Sequence, residues 1–404
     1  MSTREINVVV VGVSVAGIKA AKTIAQLSKT GYPNLRITLV DKNSYHYHAI
    51  GAPRSIVDKA YGKKLIFPLK DLLAPFELDP AHPKHTFIQA SIAAVTPDSV
   101  ELSTGQSVHF DYLVLSTGAR NQFPANLTAL NEQEAETETQ RVFDNVSSAK
   151  SILVIGGGAV GVEIAGEIRA AYPDKPVTLV HSASRLLPLN FKPALSDGAV
   201  AKLQRLGVQV VLDEKIELPS DISFNCAVRP LTLRGTSGRD YVSDLQILAT
   251  GTKLDTEYLA PLESKLGLVL RDPQGAIKVN SYLQLNSKGQ INIFVPGDVN
   301  NLPAGAKYAY KAAQQGEHVG HNIVALIKQG ASESTAKETA LKEWDGSLME
   351  IIVVPLGKHL GVFQGLGIAL GKSWFGDFVT RNMKGKDYFL SQKAKEFPAS
   401  SLAA

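Results

Sequence analysis

Residues 6–17 read Ile6-Asn-Val-Val-Val-Val-Gly12-Val-Ser14-Val-Ala-Gly17. The apolar run is typical of a strand buried on both faces, and the glycines mark a tight turn into the next element. That element has helical spacing, through Ile18, Ala21, Ile24, Ala25 and Leu27. A second strand then runs from Leu35 to Val40 and ends at Asp41. The order is strand, glycine turn, helix, strand, acid. It returns downstream. Ser151-Ile-Leu-Val-Ile155 enters Gly156-Gly157-Gly158-Ala-Val-Gly161, a helix is predicted from Val162 to about Ala171, and Val177–Val180 ends at His181-Ser182. The duplication extends further, because Asp111-Tyr-Leu-Val-Leu-Ser-Thr117-Gly118 is echoed by Asp244-Leu-Gln-Ile-Leu-Ala-Thr250-Gly251.

One glycine motif alone is weak; two copies in strand–helix context, each closed by a Thr-Gly strand, predict two Rossmann-type dinucleotide-binding domains. The fold class is α/β, with the second domain inserted in the first and a small α+β domain at the C-terminus. The expected boundaries are 1–120 and 265–330 for the first domain, 121–264 for the second and 331–404 for the last. Two dinucleotides in one chain imply electron transfer between them. A pyrophosphate needs backbone N–H groups and a helix N-terminus close by, and glycine supplies the turn without an obstructing Cβ. Gly156, Gly158 and Gly161 keep all three positions; in the first copy Ser14 stands between Gly12 and Gly17, small enough to fit and able to donate its hydroxyl. Thr117, Gly118, Thr250 and Gly251 complete the two sites. Asp41, followed by Lys42, suits the free ribose hydroxyl of FAD. The second copy has His181, Ser182 and Arg185 there instead, a set that tolerates the 2′-phosphate of NADPH alongside NADH, although Arg185 also reads as a solvated surface residue.

Bulk properties narrow the classes. A length of 404 residues predicts two or three domains, and 42 basic against 38 acidic residues leave a net charge too small to argue for nucleic acid. The single cysteine, Cys226, excludes an intrachain disulfide and points to a reducing compartment. The N-terminus lacks a signal-peptide layout, Ser2 replaces the glycine that N-myristoylation needs, and no run reaches the roughly 18 apolar residues of a membrane span. The expected setting is intracellular, either cytoplasmic or peripherally on a membrane. No metal site is expected.

With the later segment Asn292-Ile-Phe-Val-Pro-Gly297-Asp298, the chain resembles the two-dinucleotide-binding flavoproteins over about residues 5–330. That resemblance implies that Gly297 and Asp298 bind FAD, the aspartate on its ribityl chain. The thiol-dependent branches of that superfamily need cysteine after the first unit, and none lies between Asp41 and Gly118. Cys226 reads as a small buried apolar residue. The chain is most similar to the ferroptosis-suppressor and apoptosis-inducing-factor-like NAD(P)H:quinone oxidoreductases, relatives of type II NADH dehydrogenases. The stretches carrying this are Ser44–Arg54, Gly161–Ile168, Val177–Ser182 and Arg381-Asn-Met-Lys384-Gly-Lys386-Asp-Tyr-Phe389. The resemblance implies Pro53 and Arg54 beside the flavin, Glu163 where nicotinamide meets isoalloxazine, and Lys384 in the acceptor site. In plainer readings Arg54 is an ion-pair partner and Glu163 a first-turn carboxylate favoured by the helix dipole. The type II enzymes carry an AQxAxQ helix near the quinone; Ala309-Tyr310-Lys-Ala312-Ala-Gln314 matches it except at Tyr310. The start of that helix is expected to present Lys307 and Tyr308 to the flavin and Tyr310 to the acceptor. FAD, NADH or NADPH, and a quinone are thus the expected reactants. A ferredoxin- or rubredoxin-type reductase and a redox-sensing flavoprotein are the alternatives.

From about Glu333 the pattern changes. Met349–Gly357 and Gly361–Gln364 predict a hairpin, Gly365–Gly371 is a glycine-punctuated apolar stretch, and Ser373 suits the N-cap of a helix carrying Trp374, Phe375, Phe378 and Val379. These aromatics are expected to pack on the flavin domain or wall the acceptor pocket. Lys372, Arg381, Lys384 and Lys386 leave peripheral membrane contact as the alternative, with a homodimer contact as another.

Overall fold

Both glycine-turn stretches lie where parallel sheets need them. The computed structural model describes residues 5–30, 32, 34–77, 84–220, 222–287, 292–329, 341–346 and 350–398. The first sheet has the strand order Ile293–Phe294, Tyr112–Leu115, Ile6–Val11, Leu35–Asp41, Thr86–Gln89, all parallel. The second runs Val208–Val211, Val177–Val180, Ile152–Ile155, Leu245–Leu248, again all parallel. The duplication is kept to the residue. Val11 pairs with Val40 and Leu115, and its counterpart Ile155 pairs with Val180 and Leu248. The α/β fold with paired Rossmann-type sheets is therefore present as the repeat implied.

The strands are Val/Ile-rich because both their faces are covered. On one face of the first sheet, Val8 and Val10 share a core with Ile18 and Ile24 of the helix Val15–Ala25 and with Val319 and Ile323 of the helix Ala309–Lys328. Those two helices press together where a Cβ on Gly316 would stand 2.1 Å from the Ala16 carbonyl oxygen. Val9 and Val11, on the other face, pack with Tyr258, Leu259 and Leu262. The chain thus returns to the first core before residue 264, earlier than the predicted boundary, because these three apolar side chains find their cover under the first sheet. The boundary at 331, Glu333 and Met349 lie outside the described residues.

Two local expectations change. The helix of the second unit spans Ala159–Ala171, three residues earlier than Val162, since Gly158 serves as its N-cap and Gly161 sits inside it. At the C-terminus the predicted hairpin, Ile352–Leu356 with Leu360–Gly365, gains a third antiparallel strand, Ile368–Leu370, from the glycine-punctuated stretch. Ile352, Val354, Leu356 and Val362 share the core of Val162, Ile164 and Ile168, so this sheet is fastened to the second unit. Ser373 caps the helix Trp374–Thr380, its Oγ accepting the Phe375 N–H at 3.0 Å. The aromatics of that helix are not packed: Trp374 is 76%, Phe375 47% and Phe378 48% exposed. The expectation that they pack on the flavin domain is corrected here, because the inward face of so short a helix is taken by Gly376 and Thr380.

Candidate functional site

Each glycine turn is built from backbone crowding. Gly12 and Gly156 have φ of +88° and +115°, and a Cβ on either would lie 2.4 Å from a carbonyl oxygen of the neighbouring Thr-Gly strand. Only glycine fits both the angle and the space. Gly17 and Gly161 are equally confined, by the carbonyl oxygens of Gly12 and Gly156. Ser14 is the N-cap of its helix, exposed and with no side-chain capping bond, which leaves its hydroxyl facing outward; Gly158 holds the matching N-cap, with nothing within 4 Å of where its Cβ would be. Gly118 and Gly251, at φ +67° and +49°, are similarly open.

The two turns are tied to their second strands by matched bonds. Asp41 Oδ2 accepts the Val13 N–H at 2.7 Å, and its Oδ1 accepts the Asn43 N–H at 2.9 Å. Burial pushes this carboxyl up while the donated N–H groups pull it back. In the second unit His181 Nδ1 accepts the Gly157 N–H at 3.1 Å. That bond requires a neutral ring with its hydrogen on Nε2, and burial does hold the imidazole below its ordinary range. Ser182 is exposed, and Arg185 reaches the Leu189 carbonyl only at 3.4 Å. Lys42 is exposed beside the first turn, and Thr117 Oγ1 bonds the Tyr258 hydroxyl at 2.8 Å.

The late Gly-Asp segment meets the long helix through Gln315. Its Oε1 accepts from Gly297 N–H and Asn300 Nδ2, each at 2.8 Å, while its Nε2 donates to the Ala306 carbonyl at 2.9 Å. One fully buried side chain thereby fixes the loop bearing Asp298 against the start of the helix. Asp298 Oδ1 and Gln314 Oε1 are buried acceptors with no partner among the described residues. Burial raises the Asp298 carboxyl to about 6, opposed by Lys307. These free acceptors beside a cation, below an open glycine turn, fit a polyhydroxylated ligand such as the ribityl chain and pyrophosphate of FAD. Tyr308, the N-cap of the long helix, stacks on Tyr310 at 6.1 Å between ring centroids and tilts against Phe191 at 6.0 Å.

A third cluster lies where both units meet the C-terminal segment. Arg54, in the short helix Ala52–Ser55 that also holds the buried Pro53, gives Glu167 a two-pronged ion pair at 2.7 and 3.1 Å. Tyr388 donates its hydroxyl to the same carboxylate at 2.9 Å. One turn earlier on the helix, Glu163 pairs with Lys384 at 2.5 Å. Arg54, Glu163 and Glu167 are 2–3% exposed. Burial raises Glu163 to about 7, against the pull of Lys384. This corrects the helix-dipole reading: Glu163 is in the second turn, and its carboxyl goes up rather than down. Arg54 takes the ion-pair role, with its donors committed to Glu167 and to the Lys386 carbonyl.

Glu167, Tyr388 and Gln315 were not singled out from the sequence. Glu167 carries the one available signal, since it lies four residues after Glu163 on a helix whose other residues, apart from Arg169, are apolar. Cys226 is buried with its thiol pushed up to about 12, as suits a packing residue. Among the described residues no cluster of His, Cys, Asp or Glu could hold a metal ion.

Residues 6–316 match the pyridine nucleotide-disulphide oxidoreductase family. The chain is 28% identical to ferroptosis suppressor protein 1 of Taeniopygia guttata, covering 96% of this chain and 94% of that protein. It is also 28% identical to the human protein of that name, over 96% and 95%, and to apoptosis-inducing factor homolog A of Dictyostelium discoideum, over 97% and 91%. Among solved structures, the sulfide:quinone oxidoreductase of Aquifex aeolicus shares the fold with a TM-score of 0.70 at 18% identity, covering 98% and 93% of the two chains. The water-forming NADH oxidase of Lactobacillus brevis does so at 0.61 and 24%, over 79% and 70%.

Proposed function

The chain belongs to the pyridine nucleotide-disulphide oxidoreductase family, and from that premise we propose that it passes electrons from NAD(P)H to a quinone without a redox cysteine. Its cofactors are FAD and NAD(P)H. The observation that carries the quinone reading is the pair of buried Glu163 with half-buried Lys384, whose carboxyl is poised near neutral pH.

The first glycine turn with Ser14, Asp41 and Lys42, then Thr117, Gly118, Gly297 and Asp298, would hold FAD, with Lys307 and Tyr308 at the head of the long helix and Pro53 nearby. The second turn, with His181, Ser182, Arg185, Thr250 and Gly251, would hold the nicotinamide nucleotide. When bound, the flavin supplies two-electron chemistry between nucleotide and acceptor. The balance is NAD(P)H + H⁺ + quinone → NAD(P)⁺ + quinol, so one proton must come from outside the hydride. Glu163 holds a proton near neutral pH and Lys384 is hydrogen-bonded to it, so the pair can release one toward a quinone oxygen. Lys307 supplies positive charge that favours an electron-rich partner. Tyr310, stacked on Tyr308, offers an aromatic face to a flat acceptor.

The quinone would arrive from a lipid surface. Leu366, Ile368, Trp374, Phe375, Phe378 and Met383 are exposed apolar side chains in one short stretch, with exposed Lys358, Lys372 and Arg381 around them. Aromatic anchors with a basic rim suit peripheral contact with an acidic bilayer. Among the described residues no helix is long and apolar enough to cross a membrane.

The test is anaerobic flavin absorbance on the purified protein, mixed with NADH or NADPH and then with a soluble ubiquinone analogue. Rapid bleaching and reoxidation by the quinone are expected. Bleaching without reoxidation would move the acceptor to a protein or oxygen, and no bleaching would sink the enzyme reading. In parallel, Trp374→Ser with Phe378→Ser should abolish sedimentation with acidic vesicles; unchanged sedimentation would refute the lipid contact, and a dimer broken by the same change would assign the face to a second copy.

A further inference from the structure

Three consecutive backbone carbonyls in the C-terminal segment are each taken by a side chain of the first unit. Arg54 Nη1 donates to Lys386 O at 3.2 Å, Tyr61 Oη to Asp387 O at 2.9 Å, and His48 Nε2 to Tyr388 O at 2.8 Å. A carbonyl can only accept, so His48 carries its ring hydrogen on Nε2, and burial keeps the imidazole neutral, down at about 4. Tyr61 lies in the short helix Lys59–Lys63, whose N-cap Asp58 accepts the Tyr61 N–H at 3.0 Å.

The segment so gripped is not one the chain would hold unaided. Tyr388 and Phe389 have φ of +52° and +62°, two successive non-glycine residues in the left-handed region, a conformation that persists only where surroundings impose it. Tyr388 is fully buried, with Arg54 4.9 Å over its ring and Lys384 5.3 Å from the ring centre. Its N–H returns to the Lys384 carbonyl at 2.7 Å. Fixing carbonyls 386–388 therefore fixes the turn from which Lys384 projects onto Glu163.

We propose that His48, Arg54 and Tyr61 form a carbonyl clasp, positioning residues that set Lys384 against Glu163 by holding the backbone just beyond it. The clasp deepens the quinone reading and rests on it for its catalytic meaning, though not for its geometry. The first unit, which would carry the flavin, thus controls a pair formed between the second unit and the C-terminal segment. The charged or titratable groups facing Glu163 are Lys384, Glu167 and Arg54, with Tyr388 beside them. If the clasp loosens, Lys384 withdraws, Glu163 loses its nearest counter-charge, and the carboxyl holds its proton to higher pH.

Tyr61→Phe deletes one clasp bond and keeps the ring. Two readouts on the purified flavoprotein test the idea. The first is lysine acylation with mass-spectrometric detection: Lys384 should be modified about fivefold faster in Tyr61→Phe, the worth of one hydrogen bond. Lys202, buried and bonded to Gly361 O and Asp377 in the same C-terminal unit, should not change, which separates the clasp from general loosening. The second is the pH profile of quinone kcat/KM. Its inflection should move upward in Tyr61→Phe, further in Lys384→Met, and no further in the double variant. Unchanged Lys384 labelling, equal acceleration at Lys202, or additive shifts would overturn the clasp. Faster labelling of Lys384 alone, in a protein whose wild type reduces no quinone, would uphold the clasp and sink the quinone reading.

Discussion

The two glycine turns are copies of one device, yet they differ at the residue that fastens them. In the first, Asp41 accepts an N–H from the residue after the leading glycine; in the second, His181 does so at the corresponding register. The turn needs an acceptor there, and it does not need a charge. A carboxylate brings both, along with two oxygens for ribose hydroxyls, and it repels any phosphate placed on that ribose. A neutral imidazole with Nδ1 unprotonated keeps the fastening and removes the repulsion. Duplication has therefore kept a backbone requirement while the electrostatics of the two pockets diverged.

The harshest way to break the comparison is at the glycines. Gly12→Val should yield protein without flavin colour, and Gly156→Val protein that keeps its flavin but is not bleached by NADH or NADPH. Loss of flavin from both would mean that the turns are not separate sites. Next in size, Asp41→Ala removes a fastening and the proposed ribose partner together. Flavin affinity should fall roughly tenfold to a hundredfold, at about 1 kcal/mol or somewhat more per lost bond, and Asp41→Asn should recover part of it in a flavin titration. His181→Asp sharpens the comparison directly by restoring the first unit's chemistry to the second. KM for NADPH should rise about tenfold or more, with KM for NADH within about threefold. A parallel rise in both would show that His181 discriminates nothing. His181→Ala should raise both values about fivefold, as the loss of one hydrogen bond predicts. Smallest is Arg185→Ala, expected to change the NADPH value less than about threefold because a partly solvated cation on a weak backbone contact contributes little.

The pH dependence belongs to the second unit as well. Glu163 is raised by burial to about 7, so it is protonated below that pH and ionised above it. A raised carboxyl favours the folded state most below its unfolded value, and that contribution is lost as pH rises through about 7. Glu163→Gln should remove an inflection near neutrality from quinone kcat/KM and flatten the loss of stability as pH rises from the ordinary carboxyl range to about 7. A profile identical to wild type would remove Glu163 from proton delivery.

Much of this was legible along the chain. Unbroken Val/Ile runs, glycines at turn spacing and paired Thr-Gly strands are local consequences of burial and backbone sterics. They fixed two parallel sheets and both turns to within a few residues. The helix start at Ala159 was missed because Gly161 reads as turn punctuation, whereas here it is tolerated inside the helix by its press against Gly156. The exposed aromatics were misjudged for a different reason: hydrophobicity states a preference for cover, and only neighbouring elements decide whether cover exists.

The candidate site divides along the same line. The sequence by itself determined the glycines of the two turns, the acid and the histidine at the ends of the second strands, and the absence of a thiol path, because each depends on residues adjacent in the chain. Only the tertiary structure decided that Arg54 pairs with Glu167, that Lys384 meets Glu163 across 221 positions, and that Gln315 supports the Asp298 loop. Those bonds join segments whose separation carries no periodic signal, and whether an ionisable side chain is paired or solvated is set by what folds against it.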